Sequence, residues 1–312
     1  MTQDNYTINK TMKKLIPLSL SLLMACFACA QSQYTGKQEK PSERNALFNT
    51  SWKFIRDSVS GAEQPGFDDS KWIIVDLPHD FSMMNLPGED GPDKIGPFSK
   101  KSPANGNSTG HVIGGTGWYR KSFTLDNVDQ DKTAILDFDG VYMETEVWVN
   151  GKKAGIHKNG CTPFWLDITS LLNSAGKSNV IAVKVDNTGR NSRWYSGSGI
   201  YRNVHLTFKH RLHIAQWGVY ITTPLVQQNS ALADVSVTVR NDEEKDVKAT
   251  ITINIKDKDG RKAGTSKNNI SVSGKSDNIL KKQIQVNNPL LWSVESPILY
   301  KAEIIVEVNN IL

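Results

Sequence analysis

Arg193, Trp194 and Tyr195 follow one another in a glycine-rich stretch and are the side chains best suited to hold a ligand. A guanidinium donates paired hydrogen bonds, and aromatic faces stack on the C–H groups of a sugar, so this trio suits carbohydrate binding. The alternative is structural, with the two aromatic side chains wedging one part of the protein against another. The residue types are compatible with both interpretations.

His79 and Asp80 form the second candidate pair and come directly after Leu77-Pro78. An aspartate behind a proline commonly closes a turn by accepting hydrogen bonds from nearby backbone N–H groups. The turn interpretation is therefore favoured over a role in binding or chemistry.

Composition and spacing exclude several other classes of function. The six histidines show no H-E-x-x-H spacing, and Cys161 is the one cysteine after the leader segment, so no metal site is predicted. The glycine-rich stretches do not lie between a strand and a long helix, which excludes a phosphate-binding loop, and no cofactor is predicted. The formal net charge, 37 − 32 = +5, is scattered along the chain and argues against nucleic acid as a partner.

Residues 1–30 have the pattern of a secretory signal, because two adjacent lysines precede an apolar run that is too short to span a membrane. The second methionine is a natural start for such a signal, which would make residues 1–11 an upstream extension. Two processing patterns are present: small residues that would release Gln31, and a lipoprotein box that would place a lipid on Cys26. We expect an exported protein, either periplasmic or lipid-anchored in a bacterial envelope, with residues 31–46 as a linker.

Strand patterns dominate the chain after the linker. Alternating residues over Val141–Val149 meet Asn150-Gly151, which predicts a β-hairpin, whereas Asp167–Leu172 is at most a short helical connector. Strands at this spacing predict an all-β jelly roll or sandwich over residues 47–210. The other predicted strands of this domain are Trp118–Leu125, Thr133–Phe138, Asn179–Val185 and Val204–Phe208.

A second set of strands predicts an immunoglobulin-like β-sandwich over residues 211–312. The chain stops at Leu312, close to an alternating apolar strand, so we expect this domain to be truncated at its end. In the first domain, Leu86–Gly117 holds eight glycines and four prolines, and such a long loop predicts a lid, a docking arm or a mobile loop. The strands of the second domain are predicted at Leu212–Thr222, Ala233–Arg240, Lys248–Ile255, Asn278–Val286 and Leu299–Val308.

Three motifs, at residues 115–121, 139–151 and 192–202, resemble the amino-terminal part of glycoside hydrolase family 2, the β-galactosidase, β-glucuronidase and β-mannosidase group. Segments 77–80 and 288–300 resemble the family as well. The resemblance implies a galactose-binding-like jelly roll, then an immunoglobulin-like sandwich, and then a (β/α)₈ barrel that this sequence lacks. It further implies that the loop of Arg193, Trp194 and Tyr195 lies at the edge of the substrate pocket, within reach of His79 and Asp80.

In that family both catalytic glutamates belong to the barrel, so no catalytic residue is predicted in this chain. Glu144 and Glu146 share one face of a predicted strand and are expected to face solvent. We therefore expect the amino-terminal portion of an exported β-galactosidase-type enzyme, inactive alone, with weak carbohydrate binding, the barrel as its missing partner, and self-association through exposed apolar surface. The alternative is a stand-alone module that binds carbohydrate or another protein.

Overall fold

The computed structural model describes residues 46–84, 94–95, 98–102, 110–189 and 194–308. The predicted signal with Cys26, the linker to residue 45, and Arg193 lie outside the described residues. Much of the glycine- and proline-rich loop also lies outside them. Within the described ranges, no helix has the length and apolarity needed to cross a membrane.

The first sandwich, residues 46–209, is built of strands with short 3₁₀ turns at Phe81–Met83, Asn127–Asp129 and Thr169–Leu171. The last of these turns corresponds to the short helical connector predicted at Asp167–Leu172. The strands are β1 (Ala46–Leu47), β2 (Trp52–Ile55), β3 (Ile73–Val75), β4 (Lys94–Ile95), β5 (Phe98–Ser99), β6 (Gly115–Thr124), β7 (Thr133–Phe138), β8 (Glu144–Val149), β9 (Lys152–His157), β10 (Phe164–Asp167), β11 (Ser178–Asn187) and β12 (Val204–Lys209).

Two antiparallel sheets face each other in this sandwich, with orders β1-β12-β7-β10 and β3-β2-β6-β11-β8-β9, while β4 and β5 form a separate small pair. The long strands β6 and β11 pair over ten residues at the centre of the larger sheet. Because alternate side chains point inward, the sheets enclose one apolar core. Its largest fully buried members include Trp52, Tyr119, Phe138, Ile181 and Leu206.

The predicted hairpin at Asn150-Gly151 is confirmed, and it joins β8 to β9. Asn150 and Gly151 have φ of +52° and +79°, the left-handed pair that a tight two-residue hairpin requires. Sequence analysis predicted that the first strand of this hairpin begins at Val141. That start is wrong, since β8 begins at Glu144. The backbone of Tyr142 instead exchanges two hydrogen bonds, of 2.9 and 2.7 Å, with Gly199, and this contact diverts the chain from the β8 ladder.

The second sandwich, residues 212–307, packs the three-stranded sheets β13-β14-β17 and β16-β15-β18 around a separate aliphatic core. All five predicted strands are present, with ends shifted by a few residues. β16 was not predicted, because it lies at a sheet edge and its exposed, polar sequence lacks clear apolar alternation. The strands are β13 (Leu212–Val226), β14 (Ser230–Asn241), β15 (Val247–Lys256), β16 (Lys262–Val272), β17 (Ser276–Asn287) and β18 (Lys301–Glu307).

The all-β prediction is confirmed: a jelly-roll sandwich is followed by an immunoglobulin-like one, and no (β/α)₈ barrel lies within the described ranges. Polar contacts join the two sandwiches. The Thr133 hydroxyl donates to Asp242 at 2.7 Å, and the Arg211 side chain donates to the Asp131 carbonyl at 2.8 Å. Gln216, from a bulge in β13, donates to the Asp137 carboxylate.

Candidate functional site

Two loops of the first sandwich lie side by side and carry the predicted site residues. The segment after Leu77-Pro78 pairs with the segment before Ile200 through backbone hydrogen bonds. His79 N–H donates to the Ile200 carbonyl at 2.8 Å, and Phe81 N–H donates to the Ser198 carbonyl at 2.9 Å. These bonds bring together two motifs that are more than a hundred residues apart in sequence.

The Asp80 carboxylate links the two loops through hydrogen bonds. Its Oδ1 accepts from the Ser82 backbone N–H at 2.9 Å and from the Ser198 backbone N–H at 2.8 Å, and its Oδ2 accepts from the Tyr195 hydroxyl. Gly197 has φ of +67°, and a Cβ there would lie 2.7 Å from Asp80 Oδ2, so only glycine fits. Asp80 thus closes a turn and also holds the second loop.

Tyr195 depends on this carboxylate for its position. Burial, followed by the hydrogen bond to Asp80, raises the pKa of Tyr195 above the ordinary range of a tyrosine. The phenol therefore keeps its proton at neutral pH and acts as a hydrogen-bond donor, not as a base.

His79 lies beneath the loops and contacts the core. Its Nδ1 is 2.8 Å from the Tyr119 hydroxyl, and its ring meets the edge of Phe54 with centroids 4.6 Å apart. Burial lowers the pKa of His79, although the nearby Asp80 acts in the opposite direction. The imidazole is consequently neutral near pH 7, with one ring nitrogen committed to Tyr119.

A buried polar network supports the second loop from below. Asn187 Nδ2 donates to Ser198 Oγ at 2.7 Å and to the Gly197 carbonyl at 3.0 Å. Ser82 Oγ lies 2.7 Å from Ser198 Oγ, and all three of these side chains are almost fully buried. The network holds the backbone at Gly197 and Ser198, shortly after Tyr195.

The loop presents aromatic surface to solvent. Trp194 is 70% exposed and Tyr195 is 39% exposed. Phe98, at 42% exposed, packs its ring against Tyr195 at 5.8 Å. Sequence reasoning missed Phe98; an aromatic residue inside a long glycine- and proline-rich loop was the available signal. The structure therefore brings His79, Asp80 and Tyr195 together with Trp194 next to them, while Arg193 lies outside the described residues.

The carboxylates that sequence analysis singled out near this loop and on β8 do not form an acid–base pair. Asp80 is occupied by three donors, and Glu144 and Glu146 lie on the outer side of β8, where Glu146 forms a salt bridge with Lys153. Within the described ranges, no group of three or more His, Cys, Asp or Glu side chains is placed to hold a metal ion. The arrangement can stack against and hydrogen-bond a ligand.

Two family models match the chain. The model described as "Glycosyl hydrolases family 2, sugar binding domain" matches residues 102–210, and the model "Glycosyl hydrolases family 2" matches residues 212–311. The chain therefore belongs to glycosyl hydrolase family 2, and the resemblance drawn from its motifs is confirmed.

Known relatives are considerably longer than this chain. It is 35% identical to Beta-galactosidase BoGH2A of Bacteroides ovatus, over 88% of this chain and 30% of that protein. It is 27% identical to a Beta-glucuronidase of Formosa agariphila, over 86% of this chain and 28% of that protein. The crystal structure of a glycosyl hydrolase family 2 member from Bacteroides cellulosilyticus matches with a TM-score of 0.80 and 34% identity, over 86% of this chain and 34% of that one. The chain thus spans about a third of the length of these relatives.

Proposed function

We propose that this chain is the amino-terminal accessory portion of an exported β-galactosidase- or β-glucuronidase-type enzyme, and that its loop 193–195 forms one edge of the substrate pocket. The observation that carries the proposal is Trp194, a 70% exposed aromatic residue beside the loop's anchor at Asp80. An exposed indole beside the anchored Tyr195 offers a stacking surface for a sugar ring. Arg193 adds hydrogen-bond donors in this proposal, and the names of the relatives support the substrate class.

The chemistry itself is assigned to another part of the enzyme. Retaining hydrolysis of a glycoside needs two carboxyl groups about 5 Å apart, one of them a general acid in a desolvated setting. Glu144 and Glu146 are two residues apart on one strand face, about 7 Å from each other, and both side chains lie at the surface. Such a pair lacks the burial that a general acid requires, so the isolated chain is inactive in this proposal.

A chimeric enzyme tests the role of the loop. Residues 46–308 of this chain replace the matching part of the Bacteroides ovatus β-galactosidase, and kcat/KM is measured with an aryl β-galactoside and an aryl β-glucuronide. Trp194→Ala should lower kcat/KM for the preferred substrate by the equivalent of about 1–3 kcal/mol, because the sugar loses its stacking partner. Tyr220→Ala, which removes a comparably exposed aromatic ring from the second sandwich, is the matched control and should leave kcat/KM unchanged. If the chimera is active and Trp194→Ala leaves its kcat/KM unchanged, the loop has only a structural role.

Export is part of the same proposal and has its own test. Expressed in a Gram-negative host, the mature chain should begin at Gln31 or at a lipidated Cys26. Cys26→Ser distinguishes the two, because it abolishes membrane association only if the lipoprotein box is used. An unprocessed amino terminus in that host, at Met1 or at Met12, would contradict export.

A further inference from the structure

Two segments of the glycine- and proline-rich loop, residues 98–102 and 110–114, form one structural unit, which we call the arm. A β-bridge between Phe98 and Val112 joins the two segments, and a backbone hydrogen bond of 2.8 Å lies beside it. Val112 is buried, so the arm is packed onto the first sandwich. This part of the loop is therefore an ordered element that can support its neighbours.

Hydrogen bonds hold the base of the arm on the sandwich. Arg56 Nη2 donates to the Ile113 carbonyl at 3.1 Å and to the Gly114 carbonyl at 2.7 Å. Ser82 Oγ lies 3.2 Å from the Ile113 carbonyl oxygen. The arm then continues into β6, which pairs with β11 over ten residues. Because charge-assisted hydrogen bonds and a long ladder hold its base, the arm is a firm support for the residues that it contacts.

The arm contacts the loop of Trp194 and Tyr195 at two points. Gly110 lies so close to the backbone of Trp194 that a Cβ at residue 110 would overlap the Trp194 carbonyl oxygen, and its φ is +59°. The overlap excludes a side chain at this position, and the left-handed φ also favours glycine. The second contact is the ring of Phe98, which meets the ring of Tyr195 at an angle of 69° with centroids 5.8 Å apart.

The contact at Gly110 extends the support of the loop to Trp194. The hydrogen bonds of Asp80 and Asn187 act on residues 195–198, which follow Trp194 in the sequence. Gly110 acts on the backbone of Trp194 itself. The indole is 70% exposed, so burial contributes little to its orientation, which depends on the backbone that carries it.

We infer that Gly110 and Phe98 are positioning residues, through which the arm sets the place of Trp194 and Tyr195 at the edge of the substrate pocket. The catalytic consequence rests on the function proposed above, whereas the structural part does not. A stacking surface that contacts the sugar equally in the ground state and in the transition state contributes to substrate binding alone. Displacement of this surface should therefore raise KM and leave kcat unchanged.

The structural part is tested by ¹⁹F NMR of the full chain labelled with 5-fluorotryptophan. The sequence has eight tryptophans, and Trp194→Phe identifies the resonance of Trp194. Gly110→Ala and Phe98→Ala should each shift that resonance and leave most of the others in place, which shows that the variants are folded. Phe98→Ala adds no atoms, so it decides the test if Gly110→Ala does not fold.

Matched controls separate the contacts from general effects of substitution. Gly61 has φ of +78° and open space around its Cα, so Gly61→Ala introduces the backbone strain of Gly110→Ala without the overlap. Tyr220→Ala removes an exposed ring from the second sandwich. Both controls should leave the Trp194 resonance in place. A Trp194 resonance that stays in place in Gly110→Ala and in Phe98→Ala would overturn the inference.

The catalytic part is tested in the chimeric enzyme described above, with kcat and KM measured separately. Gly110→Ala and Phe98→Ala should each raise KM by about tenfold, while Phe98→Tyr, which keeps the ring, should retain KM within about twofold. Gly110→Ala should have no further effect on KM when it is combined with Trp194→Ala, because both changes remove the same contact with substrate.

The kinetic outcomes distinguish this inference from the proposed function. If Trp194→Ala raises KM and neither arm variant does, the arm has no positioning role, and the proposed function stands. If Trp194→Ala leaves kcat and KM unchanged, the proposed function is wrong, and the ¹⁹F result alone decides whether the arm positions the loop.

Discussion

At the scale of single residues, Asp80 connects two distant motifs through one carboxylate. Its three hydrogen bonds reach its own turn and the loop of Trp194, so the residue that sequence reasoning assigned to a turn also positions the candidate ligand surface. The residue types alone do not predict that second role, because it depends on a partner more than a hundred residues away. The family resemblance implied only that the two segments lie near each other.

Replacement of Asp80 tests this connection. Asp80→Ala leaves two backbone N–H groups and the Tyr195 hydroxyl without their acceptor, and we expect the free energy of unfolding to fall by about 2 kcal/mol. Asp80→Asn keeps one acceptor oxygen and should lose less. Asp68→Ala removes a similar local acceptor at an exposed turn and should leave stability unchanged within error. Urea denaturation measures the free energy of unfolding of the three variants. Equal values for Asp80→Ala and the unmodified chain would show that the carboxylate does not hold the two loops together.

The buried His79 should make stability depend on pH. Burial lowers the pKa of His79 in the folded chain, so the unfolded chain binds the proton more readily once the pH falls below about 6.5. The contribution of neutral His79 to stability is therefore present above that pH and is lost as the pH falls through this range. His79→Gln should show a smaller loss of unfolding free energy between pH 7.5 and 5.5, measured by urea titration at each pH. A difference between the two proteins that stays constant with pH would contradict the prediction.

At the scale of elements, sequence patterns located the strands whose apolar residues alternate or run continuously. They missed short strands such as β2, β3 and β10, and the polar edge strand β16, because their pairing depends on neighbours elsewhere in the sheet. The hairpin between β8 and β9 was predictable because Asn150-Gly151 fixes its geometry locally. The aromatic contact of Phe98 with Tyr195 was not predictable, since it joins two loops.

The same hairpin allows a prediction about stability. Asn150 Nδ2 donates to the Leu171 carbonyl at 2.9 Å, and Asn150 Oδ1 accepts from the Val180 backbone N–H at 2.9 Å. Asn150 Nδ2 also donates to Asn179 Oδ1 at 2.8 Å. Asn150→Ala removes all three bonds at a position with positive φ, so thermal and urea unfolding should show a loss of about 2 kcal/mol. Asn150→Gly relieves the backbone constraint and should lose less. If the alanine and glycine variants are equally stable, the positive φ at residue 150 does not contribute to the loss of unfolding free energy.

At the scale of the whole molecule, apolar side chains are concentrated on the exposed segment before β18. Leu290, Leu291, Trp292, Val294 and Leu299 are each between 46% and 79% exposed. Neighbouring apolar side chains at such exposure favour association with other apolar surfaces.

We therefore expect the purified chain to self-associate as its concentration rises and to bind a hydrophobic dye. Sedimentation velocity over a range of concentrations measures the association. Trp292→Ser combined with Leu299→Ser should reduce it, whereas the same changes would have no effect if another surface were responsible. A monomer without dye binding at high concentration would contradict the expectation.

The claim that this chain alone hydrolyses no glycoside is tested most directly by the rate at which the purified chain hydrolyses aryl β-galactoside, β-glucuronide and β-mannoside. Because Glu144 and Glu146 lie at the surface and Asp80 already accepts three hydrogen bonds, we predict a rate indistinguishable from that of buffer for all three substrates. The double variant Glu144→Gln/Glu146→Gln is assayed in parallel to identify the source of any turnover. Turnover by the unmodified chain that disappears in the double variant would contradict this claim, because it would place catalytic carboxylates on β8.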